Sequence, residues 1–339
     1  MKIRLTTLII SLIIISIIRA NTIIEDSITR NRVPQTEQYT EMKMKKKKIF
    51  IERSDGGKMK ILVYSPKKND VNTQESASNA DNKNLNSQAD STINNATGVL
   101  WIHGGGYVTG MASMAGIMGR APSLVKKYGA VVVSPEYRLG KKGRYPNALN
   151  DCYDALKYMV SHAEELGINP NQIFVCGESA GGGLAIAICM LARDKQEVNI
   201  AFQMPLYPMI DDRDTESSRD NHDKVWNTKR NHYGWKKYLG PLYGTDSVPV
   251  YAAPARQTDY KNLPPAYTFI CTDEPFYKET IDYISALKAA DIDAKIDIYQ
   301  GMYHAFDMLS PRKKTSRIAI LNFEAAFIDA QKKYFKNNR

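Results

Sequence analysis

Ile173-Phe174-Val175-Cys176-Gly177-Glu178-Ser179-Ala180-Gly181-Gly182 is the stretch that decides the fold. A short apolar run suited to a strand passes through Gly-x-Ser-x-Gly into a second apolar run, residues 184–188, suited to a buried helix. This is the sequence form of a nucleophile elbow, in which a serine sits on a strained turn between strand and helix. The turn is so tight that Gly177 and Gly181 are needed at its flanks, and Ala180, Gly182 and Gly183 keep the approach clear. Gly-x-Ser-x-Gly is common by chance, so its weight depends on partners elsewhere in the chain.

Three partners occur at the ends of other strand-like runs. Upstream, Val99-Leu100-Trp101-Ile102 leads into His103-Gly104-Gly105-Gly106. Such a loop turns bare N–H groups toward a carbonyl oxygen as it becomes an oxyanion, and the N–H after the nucleophile is a further donor. The expected donors are the amides of Gly105, Gly106 and Ala180. Downstream, the run 265–271 enters Thr272-Asp273-Glu274-Pro275-Phe276, and the run 294–299 precedes Gly301-Met302-Tyr303-His304-Ala305-Phe306. The order is thus serine, acid, histidine. Of the five histidines, His162 lies on an amphipathic stretch, and His222 and His232 fall in a polar insertion without a motif partner. His103 belongs to the glycine loop, where it anchors that loop by hydrogen bonds. His304 remains as the general base.

With these motifs in place, the chain resembles the hormone-sensitive-lipase-like group of α/β-hydrolases, bacterial carboxylesterases included. The likeness rests on residues 103–106 and 177–182, on Tyr137-Arg138-Leu139 followed by residues 145–151, on Leu263-Pro264-Pro265-Ala266, and on His304-Ala305-Phe306. It covers roughly residues 48–336. It implies ester hydrolysis through an acyl-serine, a cap over the site, and neither metal nor organic cofactor. The chain departs from the family pattern at Glu178, where aspartate is usual, and at Gly140-Lys141-Lys142, where Ala-Pro-Glu is usual. It also has Glu274 before Pro275, with Asp273 one step earlier, where the family places Asp. Register with Pro275-Phe276 assigns the acid role to Glu274. Adjacent residues leaving a strand point to different sides, so one of the two carboxylates faces the histidine. The expected triad is Ser179, Glu274 and His304.

Length and pattern agree. A chain of 339 residues, 43% hydrophobic, is large enough for one α/β domain. Strand-like runs at 98–103, 130–136, 172–177, 199–205, 265–271 and 294–300 alternate with helical stretches at 147–166, 180–194, 276–290 and 313–335. That alternation predicts an α/β-hydrolase fold, a mostly parallel sheet with helices on both faces and a small helical cap. The basic segment 45–65 predicts an antiparallel hairpin at the sheet edge. Residues 69–97, rich in Asn, Ser and Asp, read as a flexible loop without apolar groups to bury. Residues 211–250 read as a cap insertion, with Trp226, Trp235, Tyr238 and Leu239 on one face.

Lys2 and Arg4 precede an apolar run at 5–18, and Ala20 offers a small residue for cleavage, the layout of a secretory signal peptide over residues 1–20. The expected location is extracytoplasmic, with an uncleaved membrane anchor as the alternative. Residues 21–47 form a polar and basic segment that is a candidate contributor to the cap. The formal charge of +10 falls by the three charges of Lys2, Arg4 and Arg19 if residues 1–20 leave. Lys43 and Lys45 to Lys48 would be drawn to an anionic membrane or wall polymer, although a solvated segment is the plainer reading. No nucleic-acid motif accompanies the charge. Cys152, Cys176, Cys189 and Cys271 read as small buried hydrophobes, and no metal-ligand spacing occurs. The expected partner is a small-molecule ester. Carbohydrate deacetylation, peptide cleavage on the same triad and a catalytically silent ligand receptor stand as alternatives, with the intact serine and histidine weighing against the receptor.

Overall fold

Eight strands form one sheet in the order β1-β2-β4-β3-β5-β6-β7-β8 in a computed structural model that describes residues 42–67 and 95–336. They are β1 (Met44–Glu52), β2 (Lys58–Pro66), β3 (Ala96–Ile102), β4 (Val131–Pro135), β5 (Ile168–Glu178), β6 (Phe202–Leu206), β7 (Ala266–Cys271) and β8 (Ala294–Tyr299). β2 runs antiparallel to β1 and to β4, and every other pairing is parallel. The helices are α1 (Met114–Ile117), α2 (Arg120–Tyr128), α3 (Asn147–Ser161), α4 (Ala163–Leu166), α5 (Ala180–Lys195), α6 (Thr228–Leu239), α7 (Tyr277–Ala289), α8 (Phe306–Leu309) and α9 (Lys314–Lys333).

The central strands are apolar without alternation because both faces are covered. Val99, Leu100, Trp101 and Ile102 of β3 are buried, as are Ile173 to Cys176 of β5. α5 is buried from Ala180 to Ala192, so it is apolar all round. α9 closes the other face, where Phe323 meets Trp101 edge-on at 6.0 Å and Phe327 meets Phe174 at 5.7 Å. Large aromatic side chains of this kind dominate core energetics.

Chain direction positions the site. The sheet grows outward from β3 to β4 on one side, then returns to place β5 on the other side of β3. Where strand order reverses in this way, the carboxyl ends of the two strands diverge around a crevice, the usual ligand position in an open parallel sheet. The glycine loop leaves β3 at that point, and Ser179 leaves β5. β7 and β8 deliver Glu274 and His304 to the same end.

Four sequence expectations need correction or limits. The basic run at 44–47 is part of β1, separated from β3 by β2 and β4, so it builds the sheet edge instead of a cap. The sheet thus takes in residues 44–47, ahead of the domain start expected at 48. The loop expected over 69–97 stops short, because Ala96 and Thr97 pair with Ile168 and Asn169. The expected helix 147–166 breaks at His162, which has φ −118° and hydrogen-bonds through Nδ1 to the Tyr158 carbonyl at 3.1 Å. The signal-peptide segment 1–20, residues 21–41 and most of the 69–97 loop lie outside the described residues. No helix among the described residues is long and apolar enough to cross a membrane.

Candidate active site

Ser179 stands between β5 and α5 with φ 57° and ψ −123°, backbone angles a serine rarely adopts. Its neighbours hold it there. The Ser179 amide donates to the Leu206 carbonyl at 3.0 Å, and its carbonyl accepts from the amides of Gly183 and Met209 at 3.0 Å each. The flanking glycines leave no room for side chains. A Cβ on Gly181 would lie 2.1 Å from the Ile102 carbonyl oxygen, and one on Gly177 would lie 2.4 Å from the Gly181 oxygen.

The Ser179 hydroxyl meets His304 Nε2 at 2.9 Å, and His304 Nδ1 meets Glu274 Oε2 at 2.5 Å. All three side chains are buried. Glu274 Oε1 accepts from the Cys271 amide at 3.2 Å and from its thiol at 3.0 Å. Asp273 is exposed and takes the Thr272 hydroxyl at 2.7 Å. The structure therefore brings Glu274, and not Asp273, to the imidazole. Rings surround that imidazole: Tyr207 and Phe276 at 5.1 Å each, and Trp226 at 6.5 Å. They screen the histidine from water, and screening strengthens its electrostatic partners.

The glycine loop lies beside the serine. A Cβ on Gly104 would come within 3.2 Å of Ser179 Cβ, and Gly105 and Gly106 have φ of 119° and 59°. The Gly105 carbonyl turns away from the site to accept from the amides of Val108 and Thr109 at 3.0 Å. Among the described residues, no protein acceptor takes the amides of Gly105, Gly106 or Ala180. Those three donors are left for an oxygen on the substrate. His103 anchors the loop from beneath, with Nδ1 2.8 Å from the Gly104 carbonyl oxygen and its ring stacked on Tyr137 at 4.3 Å. Burial lowers its pKa, which suits a neutral structural ring.

Sequence reasoning missed three residues here. Glu178 is buried under the loop and accepts the Gly104 amide through Oε1 at 3.3 Å, while its Oε2 has no partner among the described residues. Burial pushes its carboxyl up to about 7, against the pull of Arg120. Arg120 itself is buried and paired with Asp307. By sequence Cys271 reads as a small buried hydrophobe, yet its thiol faces the triad carboxylate. Its chemistry was invisible because a turn of three residues brings Glu274 back onto it. The third is Asp223, in the insertion after β6, whose Oδ2 accepts the His304 amide at 3.0 Å.

That insertion, expected at 211–250, does lie on the site. Ser217 Oγ donates to the Pro275 carbonyl at 2.7 Å and Asn221 Nδ2 to the Asp273 carbonyl at 3.0 Å. Trp226 rests on Gly106. Trp235, Tyr238 and Leu239 of α6 are buried, with Tyr238 stacked 4.0 Å from Tyr107 next to the glycine loop. His222 and His232, which lacked motif partners, pair with Asp220 and Asp214 on the surface at 3.1 and 2.7 Å. Neither reaches Ser179. All four cysteines are buried and free, and no His, Cys, Asp or Glu cluster among the described residues is placed to hold a metal.

Known proteins carry the same architecture. Residues 99–308 match the family model for the alpha/beta hydrolase fold. Esterase LipI of Mycobacterium tuberculosis is 29% identical over 209 residues, covering 61% of this chain and 65% of that protein. The match thus spans less than two thirds of the length of the curated relatives. Among solved structures, one titled bacterial heroin esterase superposes with a TM-score of 0.70 at 29% identity, covering 91% of this chain and 88% of that one. An esterase of Pyrobaculum calidifontis superposes with a TM-score of 0.70 at 25% identity, covering 92% of each chain. With motifs, sheet order and family match in agreement, the chain belongs to the α/β-hydrolase fold family, in its hormone-sensitive-lipase-like group.

Proposed function

We propose that this protein is a serine carboxylesterase acting on small-molecule esters with short or medium acyl chains. One observation carries the reading: the Ser179 hydroxyl lies 2.9 Å from an imidazole whose other nitrogen lies 2.5 Å from a buried carboxylate, beside three amides without protein acceptors. A serine hydroxyl is a weak nucleophile until a base takes its proton. His304 Nε2 removes that proton as Oγ attacks the ester carbon, while Glu274 holds the tautomer and stabilises the imidazolium. The oxyanion accepts from Gly105, Gly106 and Ala180, each worth roughly 3 kcal/mol in comparable sites. His304 then returns the proton to the leaving alcohol. Water, deprotonated by the same nitrogen, releases the acid. The names of the esterases it resembles support the substrate class. The modest acyl length is supported by Tyr207 and Phe276 crowding the histidine.

The test is hydrolysis of methyl and ethyl esters of short acyl chains by the purified protein, followed as acid release in a pH-stat. Turnover that vanishes in Ser179→Ala supports the proposal, and an inert wild-type protein contradicts it. Export is a further part of the proposal, supported by Lys2, Arg4, the apolar run 5–18 and Ala20. Sequencing the N-terminus of the protein recovered outside the cytoplasm tests it, with cleavage after residue 20 as the expected result.

A further inference from the structure

The tetrahedral centre expected at Ser179 has four substituents, and their directions are set by the groups around them. The oxyanion points to Gly105, Gly106 and Ala180. The leaving oxygen must lie within hydrogen-bond reach of His304 Nε2, which returns the proton to it. The alcohol portion of the ester therefore departs between the glycine loop and His304, and the acyl chain takes the remaining direction.

One side chain borders both of those groups. A Cβ on Gly106 would lie 2.1 Å from Trp226 Cη2, so the indole is packed directly onto that glycine, and its ring centre is 6.5 Å from that of His304. The indole is fixed in place. Its Nε1 donates to Oδ1 of the buried Asn231 at 3.4 Å, and Gly234 makes room for its edge, with a Cβ there 3.3 Å from Cζ2. The backbone on either side is tied down as well. Asp223 Oδ1 accepts the amides of Val225 and Trp226 at 2.6 and 3.3 Å, and its Oδ2 accepts the His304 amide at 3.0 Å. Wall and histidine thus share one anchor.

We propose that Trp226 is the specificity-determining wall on the leaving-group side, restricting substrates to esters of small alcohols. This rests on the esterase reading. A fixed indole against Gly106 and His304 leaves a methyl or ethyl group free to pass and collides with branched or aromatic alcohols. Steric walls of this kind discriminate through the transition state, so the effect falls on kcat/KM.

Two ester series, followed by acid release in a pH-stat, test the inference. One holds the acyl group as acetate and varies the alcohol from methyl through isobutyl to benzyl. The other holds methanol and lengthens the acyl chain. In wild type, kcat/KM falls along the alcohol series. In Trp226→Ala the ratio of benzyl to methyl acetate rises about tenfold or more, while the acyl-length profile keeps its shape. Trp226→Leu gives a smaller rise and covers the case in which alanine destabilises the insertion after β6. Stoichiometric labelling by a phosphonate inhibitor normalises each variant to its competent sites. An unchanged alcohol ratio in both variants overturns the inference, as does a change confined to the acyl series. No turnover by wild type in either series overturns the esterase reading itself, a different failure from the other two.

Discussion

His304 turns its Nδ1 to Glu274 Oε2 at 2.5 Å, although Asp273 precedes Glu274 in the same turn and carries the same charge. The choice is made by the turn after β7. Glu274 folds back so that its second oxygen meets the amide and thiol of Cys271, and the Asp273 carboxylate is left exposed beside Thr272. A buried carboxylate at Nδ1 fixes the tautomer that leaves Nε2 free to act as base. Glu274→Gln is therefore expected to lower kcat by about 10^4-fold, the loss seen when such a carboxylate becomes an amide. Asp273→Asn stays within about twofold of wild type, since exposed charges contribute little. Steady-state kinetics on methyl acetate, read as acid release, checks both.

Cys271 supplies the thiol that meets the triad acid. Removing it leaves one oxygen of a buried carboxylate with a single donor, at a cost of about 1–3 kcal/mol. Cys271→Ala is expected to lower the melting temperature by several degrees and to reduce kcat. Cys271→Ser, whose hydroxyl donates in the same place, restores most of both. Thermal melts alongside kcat for the two variants measure this.

Ser179 occupies a backbone conformation that costs a serine about 1–3 kcal/mol and a glycine almost nothing. Ser179→Gly therefore removes hydrolysis and still raises stability by about 1 kcal/mol, after allowing for the looser unfolded chain. Chemical denaturation of the variant against wild type reads the sign directly.

Burial raises the Glu178 carboxyl from 4.5 to about 7, with Arg120 pulling it down and Asp307 pushing it up. In the unfolded chain this group loses its proton near pH 4.5, whereas the folded chain keeps it until about pH 7. The folded state holds the extra proton across that window, so this group makes stability fall as pH rises through it. The full effect is on the order of 3 kcal/mol. Glu178→Gln, which keeps an acceptor for the Gly104 amide, is expected to flatten the fall between about pH 4.5 and 7. Melting temperatures of both proteins across that range provide the check.

Much of this was legible in the sequence because strands and motifs coincide. Apolar runs without alternation identified the buried parallel strands, and each motif followed one of them, so the ends of β3, β5, β7 and β8 converged on one place. Tight turns were harder to read. At His162 both the backbone amide and the ring meet the Tyr158 carbonyl where the helix breaks, a local detail that periodicity ignores. Asp223 was not legible at all. It lies 81 residues before the amide it accepts, in an insertion whose polar composition resembles any surface excursion. Glu178 was noticed as a departure from the family pattern, but its burial against Gly104 follows from the sheet register between β3 and β5, which pairs Ile102 with Gly177.

The most direct measurement is mass spectrometry of the protein after reaction with a fluorophosphonate, which forms a stable bond with an activated serine oxygen. One adduct per chain is expected, on the peptide holding Ser179, formed at a rate that drops sharply in His304→Ala and Glu274→Gln. An unmodified Ser179 in wild type, or ester turnover that persists in Ser179→Ala, would contradict the account.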